Sequence, residues 1–232
     1  MAQSTTPNPK NVTIRGRLSF PRFSHREAVA SNQKSNFPKA DPNDVAPEFN
    51  LLIEQAQLDK LKDHIRDVFI PYVEEQFAKK EKRDALDPKV VKKILAKLDA
   101  DDYEAVAPHL PMKEISEKNA EAAPECVASV KIVGSKGADI TLKARVENEQ
   151  QLLVPDPDIL NYPVLKPLEQ TVFQMYAGAY VAATLNLYAF FQSASVNGIS
   201  AGANTAVYLG NLEGERFGGG VEVNEDDIFL EA

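Results

Sequence analysis

Cysteine is almost absent from this sequence of 232 residues, which contains Cys126 and no second cysteine. A single cysteine excludes an internal disulfide and any zinc site that uses several cysteine ligands. Residues 1–11 are polar and contain proline, instead of the basic and then apolar pattern of a secretory signal. The sequence therefore predicts a protein of a reducing compartment that carries no secretory signal.

Motifs of catalysis are also missing. The histidines His25, His64 and His109 are isolated in the sequence, and none belongs to an H-E-x-x-H arrangement. There is no G-x-x-x-x-G-K-[ST] loop for a triphosphate, and the glycines at 218–220 are interpreted as a hinge because no helix follows them. These patterns predict a protein without catalytic activity, metal or cofactor.

A group of acids leaves one enzymatic alternative open. Asp99, Asp101, Asp102 and Glu104 are close enough in sequence to hold a divalent metal for phosphodiester hydrolysis. Because they follow a predicted helix and precede a loop, solvated acids are the favoured interpretation. A metal-dependent nuclease remains as the alternative.

Charge is distributed unevenly along the chain. The formal net charge is −8, yet residues 1–40 contain seven Lys or Arg and one Glu. The last residues, 221–232, contain five acids, no Lys or Arg, and the aromatic Phe229. Such a segment buries too little apolar surface to order itself, so residues 218–232 are predicted to be a flexible acidic tail. Its predicted partner-binding residues are Glu225, Asp226, Asp227 and Phe229.

No charged residue occurs between Glu169 and Glu213, and part of this stretch is long enough to span a bilayer. It contains Gln174, Thr184 and Asn186, however, and its apolar residues alternate with other residues. The pattern favours a pair of buried strands over a membrane helix, and no membrane partner is expected.

Period-two alternation predicts most of the secondary structure. Predicted strands cover residues 12–20, 49–53, 128–132, 140–146, 180–191 and 204–212, with 128–146 forming a hairpin and 193–202 a linker. In the first strand Phe20 is assigned to the inner face, and in the fifth Phe191 is. Residues 57–80 show helical spacing with a kink at Pro71, and a second helix begins at Asp87-Pro88.

This order of elements predicts a mainly β protein, a closed five-stranded antiparallel barrel with a helical insertion at about 57–124. Residues 1–217 would form this domain.

The outer faces of the predicted strands carry basic and aromatic side chains. Cations neutralise phosphates and aromatic rings stack on any base, so this mixture is typical of single-stranded nucleic-acid binding. The predicted DNA-binding residues are Arg15, Arg17, Arg22, Lys131, Lys143, Arg145, Tyr180, Tyr188 and Phe190. The same aromatics could instead form a protein interface, so a protein-binding adaptor or virion component is a second alternative.

Several segments resemble the phage-encoded single-stranded-DNA-binding proteins that are built on an OB fold. In chain order they are Arg17-Leu-Ser-Phe-Pro21, Glu48-Phe-Asn-Leu-Leu-Ile53, Tyr176-Ala-Gly-Ala-Tyr180, Leu187-Tyr188-Ala-Phe190, the predicted strand from Ala206 to Asn211, Arg216-Phe-Gly-Gly-Gly220 and Glu225-Asp-Asp-Ile-Phe229. Each segment is short, and their order along most of the chain carries the resemblance. The chain departs from the family pattern at residues 80–124, which are longer than expected.

The resemblance implies an OB-fold protein that coats single-stranded DNA in phage DNA replication, recombination and repair. It implies that the acidic tail contacts partners such as the phage DNA polymerase or helicase. It also implies that the protein acts in the host cytoplasm. Whether the protein self-associates is left open.

Overall fold

The computed structural model describes residues 8–81, 84–145, 165–167 and 177–210. Within them the strands are β1 (Asn11–Arg22), β2 (Glu48–Glu54), β3 (Met112–Glu114), β4 (Cys126–Val133), β5 (Thr141–Arg145), β6 (Leu165–Pro167), β7 (Tyr180–Ser193), β8 (Val196–Gly202) and β9 (Thr205–Gly210). The α-helices are α1 (His25–Gln33), α2 (Gln55–His64), α3 (Ile70–Ala78), α4 (Pro88–Asp99) and α5 (Glu117–Ala122).

Five strands close a barrel. β1 pairs with β2, β2 with β4, β4 with β8, β8 with β7, and β7 returns to β1. This is the strand order of an OB barrel, and the predicted fold class is confirmed. Four of the pairs are antiparallel and β4–β8 is parallel, so the barrel is mixed.

Two sequence expectations about strands are wrong. Residues 193–202, predicted to be a linker, contain β8, which closes the barrel; its Gly, Ser and Asn residues hide the strand pattern. The predicted 128–146 hairpin does not form, because the edge of β4 that β5 would occupy is taken by β8. β5 pairs instead with β9 and β6, beside the barrel.

The inner face of the barrel is apolar, as the alternation predicts. Ile14 and Leu18 of β1, Leu51 of β2, Ile132 of β4 and Leu187 of β7 are buried and belong to one core. Because successive strand residues point to opposite faces, the residues between them lie on the outside of the barrel. That outer face carries the site described below.

Phe20 is not part of the core. The β1–β2 register shifts between Ser19 and Arg22, and Phe20 lies in this bulge at φ +48°. Its side chain is 63% exposed, so its assignment to the inner face was wrong. Phe191, also assigned inward, is 61% exposed near the β7–β8 turn. Alternation fails where a bulge or a hairpin end removes the facing layer.

The insertion between β2 and β4 supplies α2, α3, α4 and α5, whereas α1 lies between β1 and β2. α2 and α3 are joined by a π-helical turn, Ile65–Phe69, immediately before Pro71. Proline has no amide hydrogen and its ring clashes with the carbonyl four residues earlier, so a wider turn accommodates it. α4 begins as predicted, with the Asp87 side chain accepting a hydrogen bond from the Lys89 amide at 2.7 Å.

None of the helices in the described part of the chain has the length and apolar character needed to cross a membrane.

Candidate nucleic-acid interface

A groove runs along the outer face of β8. The outer positions of this strand are Gly198, which is buried, and Ser200 and Gly202, which are partly exposed; Ile199 and Ala201 between them belong to the core. Small outward residues leave the surface of β8 lower than that of the strands on either side. We call this depression the β8 groove.

Aromatic side chains of β7 form one wall of the β8 groove. Tyr188 faces Ser200 across the strand pair, and Phe190 faces Gly198. A Cβ atom at Gly202 would lie 3.7 Å from Cε1 of Tyr188, so the tyrosine ring borders the floor directly. Both rings are half-buried, which holds their orientation and leaves part of their surface open to solvent.

A strap, residues 107–111, crosses the end of the groove where the β4–β8 pairing ends. The His109 amide donates to Asn197 O at 2.7 Å, and the Ile199 amide donates to His109 O at 2.9 Å. Gly198 is required here, because a Cβ atom would lie 2.1 Å from His109 O and φ is +143°. The His109 ring stacks on Phe190 with centroids 6.3 Å apart and planes 18° apart. One face of Phe190 is therefore supported.

Cations form the opposite wall. Lys131 of β4 places Nζ 2.7 Å from Oε2 of Glu48, and Arg22 places Nη1 3.2 Å from the other carboxylate oxygen. Glu48 thus holds two cations beside each other. Its single negative charge leaves this group of three side chains with a net positive charge. The Lys131 and Arg22 side chains remain 46% and 39% exposed.

Two further lysines extend this basic wall. Lys34 and Lys39 line, together with Arg22, Glu48 and Lys131, a surface hollow of about 600 Å³. The charged residues around the hollow are four cations and one carboxylate. A positively charged concave surface concentrates anions such as phosphates.

The predicted site residues do not all meet at this groove. Lys131, Tyr188, Phe190 and Arg22 line the groove and the adjoining hollow. Arg15 is exposed on β1, where its own amide donates to Gln57 Oε1 at 3.1 Å.

The predicted residues of β5 lie beside the barrel. Lys143 is a half-buried residue of β5 in register with Val207 of β9. Arg145 ends β5 in register with Leu165. Both therefore belong to the sheet formed by β5, β6 and β9.

Arg17 and Tyr180 form a closed cluster. The Arg17 side chain is buried: Nε donates to Gly178 O at 3.2 Å, and Nη1 donates to Ala122 O at 3.2 Å and to Glu125 Oε1 at 3.0 Å. Its guanidinium carbon lies 5.8 Å from the centroid of the Tyr180 ring. Burial, followed by the nearby Glu125 carboxylate, raises the pKa of Tyr180. The Arg17 side chain is therefore held by acceptors of the protein itself, with the half-buried Tyr180 ring beside it.

Residues that the sequence argument missed surround the groove. Lys34, Lys39 and His109 line it or the adjoining hollow, and Phe37 is 90% exposed between the two lysines. A pattern could have found some of them, since Lys34-Ser-Asn-Phe-Pro-Lys39 places an aromatic residue between cations in a polar loop. The position of His109 depends on the strap and has no local signal.

Three of the four acids proposed for a nuclease are engaged in ion pairs. Asp99 contacts Arg66 at 2.8 Å, Asp101 contacts Lys62 at 2.5 Å, and Asp102 lies 3.9 Å from Lys97. The hydrogen bond from Lys62, assisted by one from the Tyr103 hydroxyl, lowers the pKa of Asp101. In the part of the chain that the structure describes, no three His, Cys, Asp or Glu residues are grouped as metal ligands.

The tail residues Glu225, Asp226, Asp227 and Phe229 lie outside the described residues.

No protein-family model and no curated protein matches the sequence. Among solved structures, the fold is similar to the single-stranded DNA-binding protein from bacteriophage Enc34, with 11% identity over 94% of this chain and 90% of that chain, and a TM-score of 0.47. A complex of that protein with single-stranded DNA gives 12% identity, 90% coverage of both chains and a TM-score of 0.46. A third match is gp2.5, a single-stranded DNA binding protein encoded by bacteriophage T7, with 13% identity over 87% of this chain and 92% of that chain, and a TM-score of 0.43.

Proposed function

We propose that this protein binds single-stranded DNA without sequence preference and without catalysis, through the β8 groove. The observation that carries the proposal is the arrangement of the groove walls. Tyr188 and Phe190 lie on β7, and Lys131 lies on β4, with β8 between them. Neighbouring strands are about 4.8 Å apart, so the two walls are about 10 Å apart. A single nucleotide can span this width with its base on one wall and its phosphate on the other.

The aromatic wall binds bases by stacking. Each stacked base contributes about 1–3 kcal/mol and every base has a face to offer, so binding is insensitive to sequence. In a duplex the base faces are covered by neighbouring base pairs. The groove therefore favours single strands over duplex DNA.

The basic wall binds phosphates. Lys131 and Arg22 each pair with Glu48, and Lys34 and Lys39 lie beside them. Each phosphate contact releases counterions from the strand, so affinity falls as salt rises. Because the strand competes with Glu48 for Lys131 and Arg22, the carboxylate lowers the net attraction without removing it.

Within this proposal the protein protects single strands in the host cytoplasm during phage DNA replication, recombination and repair. The acidic residues of 221–232 offer a second anion to the same basic wall. The tail would compete with DNA for that wall, and once displaced it would be free to contact a phage DNA polymerase or helicase. Its single aromatic, Phe229, would anchor such a contact.

The proposal is tested by fluorescence anisotropy of a labelled oligo-dT, with the full chain and a version ending at Phe217, at low and moderate salt. We expect salt-sensitive binding that tightens when the tail is removed, and weaker binding to a duplex of the same length. A variant that fills the groove tests where the strand binds. Gly202→Val adds a side chain next to Tyr188 and leaves the charge of the protein unchanged. Thr141→Val, on the exposed surface of β5, is its control.

We expect Gly202→Val to weaken oligo-dT binding while Thr141→Val does not, with thermal unfolding measured for both. Absence of binding by the full chain and by the shortened chain would overturn the proposed function. Equal affinity in wild type and a folded Gly202→Val variant would leave DNA binding in place but remove it from the groove.

A further inference from the structure

A second basic and aromatic surface begins on the far side of the strap. Lys89 and Lys93 of α4 and the exposed Phe191 of β7 line a hollow of about 260 Å³ together with Pro108 and Asn197. Asp87 is the one acid around this hollow. The predicted function makes no use of this surface, which we call the α4 patch.

The α4 patch adjoins the β8 groove. The strap separates them: His109 and Phe190 line the groove, whereas their chain neighbours Pro108 and Phe191 line the patch. A strand that leaves the groove at Phe190 meets the patch after crossing the width of the strap.

The lysines of α4 are arranged at an electrostatic cost. Lys89, Lys92 and Lys93 are exposed and stand at positions i, i+3 and i+4 of one helix, where like charges repel. They also lie in the first half of the helix, where the helix dipole disfavours cations. Among the described residues none of the three takes part in a salt bridge, whereas Lys97 on the same helix donates to Glu104 O and Val106 O.

Phe191 adds a second cost. A phenylalanine that is 61% exposed loses the stabilisation that burial would give, and the hollow that it lines also contains Lys89 and Lys93. Clustered cations with an exposed ring repeat, on a smaller scale, the composition of the groove. Both features favour a ligand that is anionic and carries aromatic faces.

We infer that the α4 patch is an extension of the single-strand path. The strand passes over the strap after Phe190, stacks a base on Phe191 and places phosphates against Lys89 and Lys93. This inference rests on the proposed function, because it needs a strand in the groove. It predicts that the protein covers more nucleotides than the barrel surface alone.

The test compares a short and a long oligo-dT, of about 6 and about 20 nucleotides, within the range of lengths that OB folds occupy. Lys89→Gln with Lys93→Gln removes two phosphate contacts, and Phe191→Ala removes the ring. Lys60→Gln with Lys118→Gln, on exposed faces of α2 and α5, removes the same charge elsewhere. Anisotropy is measured over a series of salt concentrations.

For the Lys89/Lys93 variant we expect about tenfold weaker binding of the long oligonucleotide and a log–log salt slope reduced by about 1.4. Binding of the short oligonucleotide is expected to stay at the wild-type value, as is binding of both lengths by the Lys60/Lys118 control. Phe191→Ala is expected to weaken binding of the long oligonucleotide with an unchanged slope.

Three results would overturn the inference. Long-oligonucleotide binding that equals wild type in both patch variants would show that the α4 patch serves another partner, such as an acidic protein, while DNA binding in the groove stands. Equal losses for both lengths would show a general charge effect instead of an extended path. Wild-type protein that binds neither length would remove the proposed function together with the inference.

Discussion

Two clusters on the outside of the barrel use the same kinds of residue and differ in what covers them. In one, Arg17, Tyr180 and Glu125 are packed together, and the Arg17 side chain is 6% exposed. In the other, Lys131 and Glu48 pair beside the open groove that Tyr188 borders, and the Lys131 side chain is 46% exposed. Cation, acid and tyrosine are present in both, and the difference lies in the cation: the Glu125 and Glu48 side chains are 35% and 31% exposed, and both tyrosines are half-buried.

The residues that cover Arg17 belong to the insertion between β2 and β4. Ala122 and Glu125, at the end of α5 and just after it, supply acceptors to Arg17. Leu52 and Ala123 pack with Cys126 in a small apolar cluster of the same region. On β8 the strap covers Gly198, while Ser200 and Gly202 stay partly exposed. The chain around a strand, more than its outward residues, therefore decides whether a basic and aromatic face is a binding surface or part of the interior.

The largest effect is expected from the open cluster. Tyr188→Ala combined with Phe190→Ala removes two stacking rings, so affinity for oligo-dT should fall by about 2–6 kcal/mol at every salt concentration. The salt slope should not change, because no cation is removed. Anisotropy titrations at three salt concentrations check this.

The control for this variant is Tyr180→Ala, which removes the ring beside Arg17 and should keep wild-type affinity in protein shown to be folded by its thermal unfolding. Equal losses of oligo-dT affinity in the Tyr188/Phe190 variant and in the Tyr180 variant would contradict the assignment of DNA binding to the open cluster alone.

The covered cluster should control stability instead. Arg17→Ala removes a buried guanidinium and leaves its carbonyl and carboxylate acceptors without their donor, so the free energy of unfolding should fall by about 2–3 kcal/mol. Urea unfolding measures this, with Arg15→Ala, exposed on the same strand, as the control. Unchanged stability together with lost DNA affinity would place Arg17 in the binding surface after all.

A smaller effect of opposite sign is expected at Glu48. Glu48→Gln keeps the shape of the side chain and releases Lys131 and Arg22 from their shared carboxylate. Oligo-dT should bind about two- to fivefold more tightly at low salt, since exposed ion pairs of this kind are worth about 0.2–1 kcal/mol. The gain should disappear at high salt because of screening. Weaker binding would mean that Glu48 orients Lys131 and Arg22, and that their fixed positions matter more for DNA affinity than the charge that Glu48 cancels.

The smallest effect concerns Cys126, next to the covered cluster. Burial, followed by the Glu125 charge, raises the pKa of this thiol from 9.0 to about 12. The folded protein should therefore react slowly with a thiol reagent at pH 8, in wild type and in the Tyr188/Phe190 variant alike, whereas Arg17→Ala should react faster as its cover loosens. Because the folded-state pKa is raised, the associated stability is present below pH 9 and is lost as the pH rises toward 12. Rapid labelling of the folded wild type would contradict this burial.

Much of the barrel could be predicted from alternation. Val12, Ile14 and Leu18 point inward as expected, and Asp87-Pro88 starts a helix. β8 could not be found this way, because its Gly, Ser and Asn residues have low strand propensity and a tertiary pairing decides its conformation. The bulge that exposes Phe20 is likewise set by the β1–β2 register and not by the composition of β1.

The site was predicted in part for the same reason. Lys131, Tyr188 and Phe190 were proposed because alternation places them outward; Lys131 and Phe190 line one hollow beside β8, and Tyr188 lines a second. Alternation cannot report what packs over an outward residue, so Arg17 was included although its side chain is buried and donates to Ala122 and Glu125. It also cannot reach the strap, whose residue His109 comes to Phe190 from 81 positions earlier.

The most direct measurement is to crosslink a photoreactive oligo-dT to the protein and locate the modified residues by chymotryptic digestion and tandem mass spectrometry. The β8 groove predicts crosslinks at Tyr188 and Phe190, with Tyr180 unmodified. Crosslinks concentrated at Tyr180, or an absence of crosslinks on β7 from a strand that binds, would contradict the assignment of DNA binding to the open cluster.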